Sequence, residues 1–241
     1  MCVHIILSQL FREGRVSILN IVSVILMGNV VLKLREFLTY GLTVGIYVLQ
    51  HTWSIYAIVV ATHITILAIA ATLFNKLIGF VRINEIHATS PIKFREVLKL
   101  FTKVWIIYTI TYYTLITLSE LDLLTVSSSF LRNIGLPPTM TILLASYTVS
   151  PIATWHLIDD LWVEKSITLS ELITVFILGK WSHFMFNVLR SGLPILSLLY
   201  GFRNGVKIVL LNITLISITY FTTFSLLCNS CVIKCLKQVM Q

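Results

Sequence analysis

The sequence predicts an all-α protein, a polytopic transmembrane helical bundle with broken or re-entrant helices, on three observations. Phe37 to Asn75 runs for 39 positions without Asp, Glu, Lys or Arg, nearly twice the ~20 residues needed to cross a bilayer. The hydrophobic fraction is 57% with a mean hydropathy of +0.92, and only 12% of residues are charged; soluble domains run at roughly 45–50% apolar and ~25% charged. Prolines stand inside would-be spans, at Pro137, Pro138 and Pro151, where a regular helix interior does not accept them. A β-barrel would show strands alternating apolar and polar, whereas these runs are apolar on every side.

The elements follow in order. Val3 to Leu10 is short, with no positive residue before it and no small-residue cleavage pattern after it, so no removable signal peptide is expected. Val16 to Leu32 reads as a first span, bounded by Arg12 and Arg15 before and by Lys33 and Arg35 after. Phe37 to Asn75 is long enough for one tilted helix or two; two are favoured, with Gln50-His51-Thr52 as the polar turn between them. From Lys76 to Lys103 six basic residues face two acidic ones, which places this segment on the cytoplasmic side. Within it, Ser90-Pro91 breaks the chain, and Phe94, Val97, Leu98 and Phe101 then recur at helical spacing, as in a helix lying along the interface. Val104 to Ser119 is a further span, closed by Glu120 and Asp122.

The second half is punctuated by breakers. Leu136-Pro137-Pro138 forces the backbone to restart, and Ser150-Pro151 opens a second break. Thr168-Leu169-Ser170-Glu171 matches a capping box, so a helix is expected to begin there and run to about Arg190, ended by Gly192 and Pro194. A short apolar piece, Leu193 to Tyr200, a turn over Gly201 to Lys207 and a last span from Ile208 to about Ile233 complete the chain. Two segments result: residues 1–103, membrane helices plus the basic segment, and residues 104–241, the membrane unit with the broken helices.

The charge pattern narrows the function. A net charge of +8 and a pI near 9.4 invite a nucleic-acid reading, but the Lys and Arg residues lie between apolar runs and form no continuous basic face. They fit the positive bias of cytoplasmic loops beside an anionic leaflet. The expected setting is a cell membrane crossed several times, with the lipid bilayer as first partner and no nucleic acid. Asn212-Ile213-Thr214 spells a glycosylation acceptor inside an apolar run, out of reach of modification. Cys228, Cys231 and Cys235 share a helical face, yet a metal site would need a fourth ligand, so no metal is expected. His51 and His63 read as core histidines. No H-E-x-x-H, G-x-S-x-G or phosphate-cradling glycine loop occurs; neither an enzyme nor a cofactor is expected.

One helix face carries chemistry. Lys180, His183, Asn187 and Arg190 fall within an arc of about 80° at 100° per residue, on an otherwise apolar helix. Such groups line a path for a polar solute, pair with acids elsewhere, or mark a helix end emerging into water. Asp159 and Asp160 are the natural partners, and His156 lies four residues before Asp160, as a proton relay or cation site would require. A helix end at headgroup level has the same composition. Broken helices at membrane depth point to transporter binding sites.

Gly135-Leu136-Pro137-Pro138, Ser150-Pro151-Ile152-Ala153, Glu171, Leu178-Gly179, Arg190 with Leu193-Pro194, and the Gly201 turn stand in an order that resembles the nucleoside-recognition, or Gate, family of membrane domains. That family includes the Gate regions of the bacterial ferrous-iron transporter B and the spore maturation membrane proteins. The likeness covers Gly135 to about Leu210, and Lys180 departs from the small polar residue that follows the glycine in the family. It implies a membrane gate, one half of a pore or a homodimer; with no GTP-binding domain here, nucleotide-driven iron uptake is not implied. The expectation is therefore a transporter or permease-like gate for a small polar or ionic solute. Pro137, Pro138, Ser150, Pro151, Lys180, His183, Asn187, Arg190 and Pro194 would form the pathway, and His156, Asp159 and Asp160 would couple an ion or proton. The alternative is a non-transporting scaffold whose polar face bridges to a membrane partner subunit.

Overall fold

The structure, a computed structural model, describes residues 2–78 and 137–229 and the isolated positions Thr102 and Ile106. The basic segment beyond Ile78, the interfacial helix, the span at 104–119 and Cys231 and Cys235 lie outside the described residues. Among those described there is no strand, and the fold is all helical. Short α1 (Cys2–Arg12) leads into α2 (Ile18–Glu36), which continues through a wide π-helical stretch (Phe37–Gly45) into the single turn α3 (Ile46–Val48). Then come α4 (Trp53–Ile78), α5 (Pro138–Val149), α6 (Pro151–Val163) and α7 (Leu169–Asn187). A second π turn (Val188–Gly192) joins α7 to α8 (Leu193–Tyr200), and α9 (Phe202–Leu227) closes the chain.

Among the described residues four helical runs are long and apolar enough to cross a membrane, residues 18–48, 53–78, 169–200 and 202–227, and the chain is a membrane protein. Its outer surface carries large exposed apolar side chains such as Val31, Leu38, Ile69, Leu73, Ile218 and Phe221, the surface that acyl chains cover.

Several boundaries differ from expectation. The break at Gln50-His51-Thr52 is present: α3 ends at Leu49 (φ −102°, ψ 54°) and α4 starts at Trp53. The expected separation after Leu32 is absent, and residues 18–48 form one rod of 31 residues. Lys33 does not end it because its ammonium pairs with Glu36 one turn on, at 2.8 Å, so opposite charges travel together inside the helix. Downstream the rod widens to π geometry around Thr39 and Thr43, whose hydroxyls donate to the carbonyls of Arg35 and Thr39; such back-bonding bends and loosens a helix.

Gly192 and Pro194 do not end the helix either. Proline lacks an N–H and its ring crowds the carbonyl four residues back. The π turn answers this: Leu193 N–H reaches back to the Val188 carbonyl, five residues away, and the wider loop takes in the ring. The helix stops at Gly201, whose φ of 82° lies in the left-handed region, and α9 begins at once, so the expected turn over 201–207 is one residue wide. The capping box is as expected. Thr168 Oγ1 accepts from Glu171 N–H at 3.3 Å, and the Glu171 carboxylate accepts from Thr168 N–H at 2.8 Å.

Close packing holds the helices together. The larger apolar core joins α2, α4, α5, α6, α7 and α9, and a smaller one joins α1, α2, α8 and α9. In a membrane, association depends on fit between helices rather than on water exclusion, and small residues allow the approach. A Cβ on Gly179 would meet Tyr147 Cγ at 2.6 Å, and one on Gly205 would meet Ser197 Cα at 2.5 Å. The second contact is with backbone, which cannot swing aside. Polar bonds add register: Asn29 Nδ2 donates to Asn212 Oδ1 at 3.4 Å between α2 and α9, and Trp181 Nε1 donates to Ser217 Oγ at 2.9 Å between α7 and α9. Asn212 is buried, in keeping with an acceptor sequence out of reach.

Gly205→Ala is therefore expected to force α8 and α9 apart and to destabilise the protein by about 1–3 kcal/mol. Gly28→Ala, whose added methyl meets nothing within 4 Å, is expected to be neutral or slightly stabilising. Thermal unfolding of the two variants in one detergent checks the contrast.

A polar cavity beside a broken helix

The long helices and the interrupted α5–α6 pair line a partly open cavity of about 240 Å³. Each wall is one helical face. Tyr56, Val60 and His63 come from α4 and Phe176, Ile177, Lys180 and His183 from α7, at the three-and-four spacing that stacks side chains along a helix. Tyr220 and Thr223 come from α9, Lys33 and Glu36 from α2, and Tyr147, Pro151 and Trp155 from the two sides of the break. Aromatic edges form much of the surface: Tyr56 meets Trp155 at 5.0 Å and Phe176 at 5.3 Å, both edge-on. Ionisable groups this deep in an apolar bundle are costly unless they are paired or hydrogen-bonded.

The polar contacts fix most hydrogens. Lys33 and Glu36 neutralise each other at 2.8 Å. Lys180 Nζ donates to the Tyr56 hydroxyl at 3.1 Å and lies 4.4 Å from the centre of the same ring. Its recorded partners are thus neutral, and among the described residues no carboxylate pairs with it. His183 Nδ1 lies 2.9 Å from the Thr148 carbonyl and so donates to it, leaving Nε2 to accept from Asn187 Nδ2 at 2.8 Å. Thr223 Oγ1 donates its one proton to the Thr219 carbonyl at 2.7 Å, so at 3.2 Å it must accept from His63 Nδ1. In the neutral ring, His63 Nε2 is then a bare acceptor. That nitrogen and the Tyr220 hydroxyl are both buried without a partner in the protein, and the two rings stack at 3.9 Å. Both line the cavity.

The sequence-selected residues divide into three groups. Lys180, His183 and Pro151 line the cavity, and Asn187 stands behind His183 and orients it. Ser150 is the extended residue of the break (φ −142°, ψ 93°), and Pro137 caps α5 at the restart where Pro138 is the first helical residue. Arg190 and Pro194 belong to the π turn and the start of α8, where the Arg190 guanidinium lies 5.9 Å from the Phe186 ring; neither is among the described residues lining the cavity. The acids are not partners of the α7 cations as expected. Asp160 and His156 are exposed on α6, and Asp159 is engaged elsewhere.

Asp159 is buried and holds the turn before α4. Its carboxylate accepts from His51 N–H (3.1 Å), Thr52 N–H (3.0 Å) and the Thr52 hydroxyl (2.9 Å), with His51 Nδ1 at 3.0 Å. An acid supplied across the fold thus caps a 26-residue helix, where exposed N–H groups and the helix dipole favour negative charge. His51 is not a core histidine: its side chain is 58% exposed.

Lys33, Glu36, Tyr56 and Tyr220 were not selected by sequence reasoning. The one available signal was an acid three residues after a lysine, read as a span boundary. His63 was seen as buried, and its orphaned nitrogen is visible only in three dimensions. Among the described residues no group of three or more His, Cys, Asp or Glu side chains converges. Cys228 is half-buried, and burial raises its thiol above the ordinary value while a bond to Thr174 works against the shift. No protein-family model matches the chain, and neither the curated proteins nor the solved structures contain a match.

Asp159→Ala strands two backbone N–H groups, each costing about 1–3 kcal/mol when buried. It is expected to lower the unfolding temperature and to speed hydrogen exchange at the start of α4. Asp159→Asn keeps an acceptor oxygen and should lose less. Equal losses in the two variants would remove the capping role.

Proposed function

We propose that the protein is a permease-like gate, with the cavity between α2, α4, α7 and α9 as its solute site and the Ser150–Pro151 interruption as its movable wall. The observation that carries this reading is the pair of partnerless polar groups, His63 Nε2 and the Tyr220 hydroxyl, together with a Lys180 ammonium bonded only to a neutral phenol, on residues that line an intramembrane cavity beside interrupted backbone. A purely structural bundle gains nothing from leaving such groups unmatched, because each costs free energy in a medium of low dielectric. A polar solute would supply the missing partners. The break is where a half-helix can move without disrupting a full span.

The resemblance of the motif order to Gate-family domains, read from the sequence, points the same way. The reading as a non-transporting scaffold has less support: Lys180, His183 and Asn187 bond within this chain and do not present an outward polar face to a partner subunit.

The test is flux. The protein, reconstituted in liposomes, is expected to take up at least one component from a mixed pool of small polar and ionic solutes read by mass spectrometry. Lys180→Leu, verified as folded by gel filtration, is expected to reduce that uptake about tenfold or more, as loss of a charge-assisted contact worth ~1.5–3 kcal/mol would. Vesicles tight to every component, or unchanged uptake in the variant, would sink the reading.

A further inference from the structure

The geometry points to a specific class of ligand for the cavity: a small aromatic monoanion that also carries an N–H or O–H donor. The inference rests on the gate reading for its site but not for its chemistry.

Charge comes first. The Lys33–Glu36 pair at 2.8 Å cancels internally, His183 is a single-proton donor at Nδ1 because Nε2 accepts from Asn187, and the buried His63 ring, with no acid bonded to it, is taken as neutral with its proton on Nδ1. The residual charge is therefore the Lys180 ammonium, whose contacts are the Tyr56 hydroxyl and ring. Among the described residues no carboxylate pairs with it, so a negative charge on the ligand would serve as its counter-charge. The Tyr56 oxygen accepts from Lys180, so its own proton remains to donate to the same anion, giving a two-point clamp from α7 and α4.

The donor requirement comes from the opposite kind of group. His63 is 4% exposed, and its Nε2 has no partner. In the neutral ring that nitrogen is an acceptor, and it is covered in this conformation, so a ligand that displaces its neighbours to reach it must bring a proton. The Tyr220 hydroxyl, on a side chain 2% exposed and stacked on His63, can accept or donate at the same end.

Shape supplies the third constraint. Tyr56, Trp155 and Phe176 wall the space with ring edges and faces, which suits a flat ring. A volume of about 240 Å³ leaves room for a small ring-bearing solute.

Isothermal titration of the purified full-length protein at neutral pH tests this with benzoate, the three hydroxybenzoate isomers, and the matching hydroxybenzamides and hydroxybenzamidines. The acids should bind about tenfold or more tighter than the amides, with the amidinium cations weakest. At least one hydroxybenzoate should outbind benzoate. Lys180→Met should abolish the preference of acid over amide, and His63→Phe, which keeps a ring against Tyr220, should abolish the advantage of the hydroxyl. Amides binding as well as acids, no isomer exceeding benzoate, or no binding of any probe overturns the proposal. The comparison among probes on the unmodified protein stands even if a variant fails to fold. Vesicle flux separates the two readings. Acid-selective binding without transport overturns the gate and leaves the ligand class; transport of other solutes with no acid preference in binding overturns the ligand class alone.

Discussion

Inside hydrocarbon no water is at hand to satisfy a backbone amide, a carbonyl or a charge, and this constraint organises the whole protein. Intact helices meet it without help, since each internal N–H and C=O is paired within the segment. The interest lies where helices fail. Around the turn at residues 49–52 the exposed N–H groups are taken by Asp159 from α6. At the break after Val149 the Thr148 carbonyl is taken by His183 from α7. Each interruption is thus sealed by a side chain from a different helix, and the sealing contacts become the tertiary structure.

Against that background the cavity is an exception. Its charged pair on α2 is self-neutralising and its two histidines are committed through Nδ1, yet His63 Nε2 and the Tyr220 hydroxyl have no partner, and Lys180 has only the Tyr56 phenol. Polar groups that are merely tolerated end up satisfied. The helices that carry these groups are held in register by the close approach at Gly179 and by the Asn29–Asn212 and Trp181–Ser217 bonds.

Features set by local chemistry were legible in the sequence. The restart at Pro137-Pro138, the break at Ser150-Pro151, the polar turn at 50–52 and the capping box at Thr168 all depend on a few adjacent residues, and all are present. Local rules misled where a nearby residue or a changed helical pitch compensates. Lys33 reads as a span boundary until Glu36 pairs with it, and Pro194 reads as a stop until a π turn makes room for its ring. The inward turn of Lys180 and His183 followed from periodicity. Their partners did not: Tyr56 and Thr148 are 124 and 35 residues away. Asp159 was assigned to the wrong cations for the same reason, since its true ligands are backbone N–H groups 107 and 108 positions away, invisible to any pattern of side-chain types.

The bond from Asp159 to residues 51 and 52 also has a mechanical side. It ties a 13-residue half-helix, α6, to the first turn of α4, and Tyr56 follows only four residues after the tie. A tilt of that half-helix about Ser150 would pull on the base of the neighbouring rod and carry the phenol with it. The break at Ser150 and the residue that touches Lys180 are thereby joined by one continuous set of contacts, along which any such tilt would be carried.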